Sequence, residues 1–372
     1  MIKRVYFDWA ASAQSGNPSS QHYEGKAAKK TLEDARERCA TILNVPSHTL
    51  SFTSGGTESN SIAIFSNLMR PGKGRIISSM AEHASVREAM LTLEKMGKQT
   101  GLITVDSAGR VTAETFGKAL FQYGDVRFAS VMMVNNESGA ITDISSLNEL
   151  ILRQNGQGNK APVHIHCDLV QAIGKIPLSI SDMGIDSASI SAHKIHGLFG
   201  IGLLYLKKPQ EVFYSGGGQE NGIRGGTENA HGAAALATCL EEYAGTQTVL
   251  NNYSLAKKRW KKLISSLSMI KRCTLIPEER TADDDSFSPY ILQAAFKDIP
   301  GEVMARALDD LGIAVSTGSA CSSSSPERPV LLAMGVKENL RIEGIRISQG
   351  HSTTDEDIDT LIKAITEVLK FL

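Results

Sequence analysis

The feature that most restricts the fold is a repeated exchange between two periodicities. Short apolar runs of strand length, "TLSFTSG" (49–55), "GRIISS" (74–79), "ASVMMV" (129–134) and "VHIHCD" (163–168), are separated by helix-like stretches. Residues 23–43 place Ala27, Ala28, Thr31, Leu32, Ala35, Cys39 and Leu43 at helical spacing, and 143–154 read as another helix. Strands alternating with helices specify a mostly parallel sheet, an α/β fold. In such sheets ligands bind at the carboxyl ends of the strands.

A chain of 372 residues suits two domains, or one large domain with an appendage. The segment 245–290 is more polar and carries "ADDDS", which places a domain change near 245–250. Beyond it, "STTDED" supplies capping side chains and early acids for a C-terminal helix. Ile358, Leu361, Ile362, Ile365, Val368 and Leu369 form one apolar stripe on that helix, which reads as core.

A net charge of −1 gives no electrostatic case for nucleic acid or an anionic membrane as the main partner. The longest apolar runs, such as "GAAALATCL", are too short to span a bilayer. "MIKRVYFDWA" is followed by no apolar stretch, so no signal peptide is expected. Cys39, Cys167, Cys239, Cys273 and Cys321 are scattered and odd in number, without a CxxC pair. That argues against a disulfide framework or structural zinc and makes a reducing cytoplasm the natural setting.

Four stretches carry chemistry. "SISAHKIHGLFGIG" (189–202) puts Lys194 between His193 and His196 on a loop that ends in glycines. A lysine is ordinarily a solvated charge; the alternative is an amine that does covalent work. In "FTSGGTESN" (52–60) a strand ends, Gly55 and Gly56 follow, and Thr57, Glu58 and Ser59 open a helix. Such a helix start can bind phosphate, but taken alone it is better read as a glycine turn with a threonine cap. No GxxxxGK[ST] occurs, and "GGGQENGIRGG" is not a strand-to-helix GxGxxG, which excludes the common nucleotide motifs.

In "VHIHCDLVQ", strand alternation places His164, His166 and Asp168 on one face. That set suits either a metal or an organic cofactor whose ring a carboxylate orients. "STGSACSSSSPERP" (316–329) sets Cys321 among small and polar residues that cannot pack, so a mobile loop is expected. A thiol there is either incidental or a nucleophile delivered by the loop.

These stretches, taken in order, resemble the cysteine desulfurases, of the class-V aminotransferase branch of fold-type I pyridoxal-phosphate enzymes. The likeness runs nearly end to end: "YFDWAA", "NPSSQHYEG", "FTSGGTESN", "AEHASV", "VNNESG", "HCDLVQAIGK", "SAHKIHG", "GGGQENGIRGGTEN", "GSACSSS" and "IRISQG". It implies a large cofactor-binding α/β domain over 14–245 with a mostly parallel, seven-stranded-type sheet. A smaller α+β domain would be built from 1–13 and 246–372 and would carry the Cys321 loop.

The resemblance also implies roles. Lys194 would hold pyridoxal 5'-phosphate as a Schiff base. Gly56, Thr57, Ser191 and His193 would receive the phosphate, with Thr227 reaching it from a neighbouring subunit in a homodimer. Asp168 would pair with the pyridine nitrogen, and Gln171 would contact the ring hydroxyl. His83 would stack on the ring as a third catalytic residue beside Lys194 and Cys321. Asn136 and Arg346 would hold the carboxylate of L-cysteine. Cys321 would take the sulfur as a persulfide, leaving alanine, for a protein acceptor such as an iron–sulfur scaffold or a tRNA-thiolation protein.

The physics agrees. A buried carboxylate keeps a ring nitrogen protonated, and a guanidinium fork suits a free carboxylate. The chain departs from common family wording at Trp9, Ser12-Ala13, Thr142, Leu198 and His351, none of them a residue assigned to chemistry. Three rivals compete with this reading. Another class-V enzyme, such as a selenocysteine lyase, would keep Lys194 and Asp168. A metal-dependent hydrolase would use His164, His166 and Asp168. A non-catalytic descendant would have lost the lysine, aspartate or cysteine, and all three are present.

Overall fold

The computed structural model describes residues 5–13, 16–70, 74–155, 163–214, 216–318 and 328–372. Ten strands are present among them: β1 (Leu50–Thr53), β2 (Arg75–Ser79), β3 (Thr100–Ile103), β4 (Val126–Met132), β5 (His164–Asp168), β6 (Ser187–Ser191), β7 (Gly202–Leu206), β8 (Cys273–Ile276), β9 (Ile291–Phe296) and β10 (Gly344–Ser348). The helices are α1 (Tyr23–Leu43), α2 (Gly56–Phe65), α3 (Ala84–Lys95), α4 (Ala113–Tyr123), α5 (Ile144–Asn155), α6 (Ala230–Tyr243), α7 (Thr246–Ser268), α8 (Gly301–Asp309), α9 (Pro329–Ala333), α10 (Glu338–Glu343) and α11 (Asp355–Phe371).

The first seven strands form one sheet in the order β1-β7-β6-β5-β4-β2-β3. Neighbours from β3 through β6 pair in parallel, and β7 runs antiparallel to both β6 and β1. Only β7 is reversed, so β1, β2, β4, β5 and β6 all end at one edge of the sheet. Strands β4 to β7 are buried almost throughout, as a sheet covered on both faces requires. The expected α/β fold with a mostly parallel seven-stranded sheet is therefore present.

Two local expectations need correction. Residues 189–191 belong to β6, and Lys194 sits on a single 3₁₀ turn, Ala192–Lys194, before the glycine loop. Helix α2 is capped by the Gly55 backbone at φ +147°, a conformation that favours glycine, and Thr57 is its second residue rather than its cap. Close packing also holds Gly55 in place, because a Cβ on Gly202 would lie 2.6 Å from the Gly55 Cα.

Strands β8, β9 and β10 form a separate antiparallel sheet with its own core. That core includes Leu263 and Leu267 of α7, Leu292 and Phe296 of β9, and Ile358, Leu361 and Ile365 of α11. The C-terminal stripe is thus core, and Thr354 and Asp357 close a reciprocal cap at the start of α11. Helix α7 joins the two regions, with Ala256 in the core of the large sheet and Trp260 in that of the small one. A buried ion pair ties α1 to the 219–222 turn: Arg36 Nη1 donates to Glu220 Oε2 at 2.7 Å, which also accepts from the Phe52 N–H.

Candidate active site

Five strands that end together deliver most of one cavity, of about 410 Å³. Gly56 and Thr57 follow β1, His83 follows β2, and Asn136 follows β4. Asp168 ends β5 with Gln171 just beyond it, and Ser191, His193 and Lys194 close β6. The small sheet supplies the opposite wall through Tyr290, Ile291, Arg346, Ser348 and Gln349. Ten residues singled out in the sequence therefore line one cavity. Thr227 is exposed and lies outside it, and Cys321 lies outside the described residues.

Asp168 is the buried acid of the site. Its Oδ1 accepts from the Val170 N–H and its Oδ2 from Asn60 Nδ2, both at 2.9 Å. Burial pushes its carboxyl above the usual range, while the Asn60 and Val170 bonds and the nearby His83 pull the other way. Glu82 lies close by. Burial, helped by Asp168, pushes its carboxyl up to about 8, so it is predominantly protonated at neutral pH. Its Oε1 accepts from the Met132 N–H at 2.7 Å.

His83 caps α3, its Nδ1 accepting from the Ser85 N–H at 3.1 Å and lying 2.9 Å from the Ser85 hydroxyl. Burial holds its imidazole below the usual value, so the neutral ring is favoured. Ser191 Oγ and His193 Nδ1 are 3.0 Å apart beside the α2 start, and the His193 ring stacks on Phe199. A side chain on Gly56 would meet Val170 at 2.6 Å, so only the bare helix start fits there.

The other end of the cavity is ionic. Arg346 Nη1 donates to the Asn136 carbonyl at 3.0 Å, and Asn136 Oδ1 is buried without a partner among the described residues. Glu137 stands next to Asn136, with Arg328 Nη2 3.6 Å from its Oε2. Arg280 braces the same turn from the small sheet, donating to the carbonyls of Ser138 and Ile291 at 2.8 and 2.9 Å.

Sequence reasoning passed over several of these residues. Lys175 lines the cavity and its Nζ donates to Gln171 Oε1 at 2.6 Å. Burial first, then Lys194 and Arg346, push its ammonium down to about 7. Asn60 stood within "FTSGGTESN" and drew no assignment, yet it is the main partner of Asp168. The metal alternative fails on commitments: His164 bonds Arg70 and Ser187, and His166 bonds Ser187 and Asn60. A guanidinium against His164 repels a cation, and among the described residues no group of three His, Cys, Asp or Glu could hold a metal.

Residues 2–361 match the family described as aminotransferase class-V. The chain is 33% identical to a cysteine desulfurase IscS of Dictyoglomus turgidum, covering 100% of this chain and 96% of that protein. It is 36% identical to a NifS/IcsS protein homolog of Lactobacillus delbrueckii subsp. bulgaricus, over 95% and 90% of the two chains. A solved structure entitled NifS-like protein superposes with a TM-score of 0.85 at 34% identity, covering 96% of this chain and 92% of that one. End-to-end likeness in sequence and fold, around a cavity lined by ten of the twelve residues named from sequence, places the chain in the cysteine desulfurase branch of the class-V aminotransferase family.

Proposed function

We propose that this chain is a pyridoxal-phosphate-dependent cysteine desulfurase that converts L-cysteine to L-alanine and loads the released sulfur on Cys321. The observation that carries the reading is the convergence of Lys194, Asp168, the α2 start and Arg346 on one cavity. The residues present suit the family's cofactor. A buried acid waits at one wall, a bare helix start beside hydroxyls and an imidazole offers an anion site, and Asn136 Oδ1 has no partner among the described residues at the far end. The selenocysteine lyase and hydrolase readings are not favoured.

Bound pyridoxal phosphate supplies an electron sink that lets an amino acid give up its α-proton and then its β-substituent. The chain does the rest. Thr57, Ser191, His193 and the α2 N–H groups would hold the phosphate, and the partner subunit's Thr227 would complete the cradle. Asp168 would keep the ring nitrogen protonated. Gln171, oriented by Lys175, would meet the ring hydroxyl, and neutral His83 would stack on the ring. Lys194 would anchor the cofactor and carry the α-proton. Arg346 and Asn136 would grip the substrate carboxylate. The Cys321 thiolate takes the sulfur: the carbon–sulfur bond breaks, a sulfur–sulfur bond forms, and the β-carbon keeps the electron pair and gains a proton. No external oxidant is needed.

Further assignments belong to the same proposal. Two separate cores support a cofactor domain over 14–245 and a smaller one within 246–372; the assignment of 1–13 to the smaller one follows from the resemblance alone. Exposed Thr227 and an apolar hollow lined by Ile62, Phe65, Val212, Phe213 and Ile223 support a homodimer. The final acceptor is a protein, either an iron–sulfur scaffold or a tRNA-thiolation factor. Cys39, Cys167, Cys239 and Cys273 are all free thiols, which supports a reducing, cytoplasmic setting. Among the described residues no helix is long and apolar enough to cross a membrane.

The test is alanine and sulfide release from L-cysteine with a reductant. Cys321→Ser is expected to keep the cofactor's visible absorbance and lose sulfide, and Lys194→Ala to lose the absorbance itself. A wild type that binds no pyridoxal phosphate sinks the reading.

A further inference from the structure

Strand β5 carries two histidines on the face of Asp168, and the proposed chemistry uses neither. Both belong to one unbroken chain of hydrogen bonds. Arg70 Nη2 lies 3.0 Å from His164 Nδ1, and His164 Nε2 lies 2.8 Å from Ser187 Oγ. Ser187 Oγ lies 2.8 Å from His166 Nδ1, and His166 Nε2 lies 2.9 Å from Asn60 Oδ1. Asn60 Nδ2 then donates to Asp168 Oδ2.

The direction of every link follows from which groups can donate. A guanidinium only donates, so His164 Nδ1 accepts. Burial holds both imidazoles neutral, that of His166 down to about 3, so each ring carries one proton. His164 therefore donates through Nε2, and Ser187 accepts and passes its own hydrogen to His166 Nδ1. His166 donates through Nε2 to the Asn60 oxygen, which turns the Asn60 amide nitrogen to Asp168. Its second hydrogen reaches Ser85 Oγ at 2.8 Å, and that hydroxyl faces His83 Nδ1. Ser189 Oγ also donates to the Asn60 oxygen at 2.5 Å and lies 3.3 Å from His166 Nε2, and Gln210 Nε2 lies 3.4 Å from His164 Nδ1. Arg70, the donor-only residue at the outer end, thus sets the proton on each ring, while Ser189 shares in turning the Asn60 amide toward the acid. Such same-sense chains polarise one another in a buried setting.

We propose that Arg70 and His164 are positioning residues that act on Asp168 through this chain. They fix His166 as the Nε2–H form and, together with Ser189 of β6, hold the Asn60 amide donating to Asp168, so that the buried acid stays ionised. The kinetic part of the proposal rests on the desulfurase reading; the proton assignment does not.

Histidine-selective nitrogen NMR of the protein without cofactor tests the assignment directly. His166 and His164 are expected as Nε2–H rings with accepting Nδ1 atoms. Arg70→Met and His164→Leu are expected to give a mixed His166 signal. In the holoenzyme they are expected to lower kcat about three- to tenfold at unchanged KM. Arg70→Lys is expected to restore both readouts in part. A wild-type His166 protonated on Nδ1 overturns the proposal, as does a His166 signal unmoved by both substitutions. A wild type that shows the expected rings but releases no alanine leaves the chain standing and sinks the desulfurase reading instead.

Discussion

The two ends of the cavity are built on different principles. Around Asp168 the polar groups are strand and helix residues of one sheet, bonded at 2.8–2.9 Å and largely neutral apart from the acid. Around Arg346 they come from loops and from the second sheet. Their charges, those of Arg346, Glu137 and Arg328, meet loosely, with Glu137 and Arg328 3.6 Å apart. The first end suits a resident group that must be held in one protonation state. The second suits a substrate that arrives and leaves, because a loosely neutralised guanidinium keeps attraction for a new carboxylate. Two arginines against one buried acid leave an excess positive charge beside the cavity, matched in sign to one α-carboxylate.

The largest effect is expected at the first end. Asp168→Asn keeps size but removes the charge that would hold the ring nitrogen protonated, and it leaves one oxygen for the two donors, Asn60 Nδ2 and the Val170 N–H. It is expected to lower kcat by about 10²-fold or more while the cofactor still binds. Steady-state alanine release with the visible spectrum checks this. A variant within threefold of wild type would break the contrast, because the acid end would then tolerate a neutral group.

Next comes the substrate end, where two substitutions are expected to move KM in opposite senses. Arg346→Ala removes the fork and is expected to raise KM for L-cysteine about 10- to 100-fold, the range for a charge-assisted hydrogen bond. Glu137→Gln removes the negative charge beside Arg346 and is expected to leave KM unchanged or lower it. Its cost falls on stability, about 1–3 kcal/mol in denaturant unfolding, because Arg328 loses the acid that faces it among the described residues. A KM raised by both would show that Glu137 serves as a substrate contact rather than a counter-charge.

These two ends were unequally legible in the sequence. The motifs around Asp168 and Lys194 are short, since one strand end with its turn supplies each set, so Asp168, Gln171, Ser191, His193 and Lys194 could be named together. Strand β6 was harder to see. Its Ser187, Ser189 and Ser191 are buried polar residues, which breaks the apolar pattern a core strand usually shows. Ser187 is buried because its hydroxyl bridges His164 and His166, a reason visible only once β5 and β6 lie side by side. Asn60 stayed unassigned for the same reason, since its partners come from β5, β6 and α3. The ionic end joins Glu137 to Arg328, close to 190 residues further along the chain, and no local pattern announces such a pair. His164 and His166 were read as possible ligands on the correct face of the strand. Arg70, on the loop after α2, supplies the donor that makes them links in a chain instead.

The smallest effect on turnover is expected from the second acid of the first end. Glu82 has its carboxyl raised to about 8 from an ordinary 4.5, by burial and by Asp168. Between those values the folded protein keeps a proton that the unfolded chain releases, so this group stabilises the fold most below pH 4.5 and its contribution is lost as pH rises to 8. Glu82→Gln imitates the protonated acid and keeps an oxygen for the Met132 N–H, so alanine release at pH 7 is expected within about twofold of wild type. Its stability relative to wild type is expected to rise with pH across that window, by at most about 1.4 kcal/mol per unit, and then level off. Denaturant unfolding at pH 5 and pH 8.5 reads the difference. If the variant gains no ground as pH rises, Glu82 is ionised in the folded protein. The Asp168 end would then hold two buried negative charges, and the description of that end as neutral apart from one acid would fail.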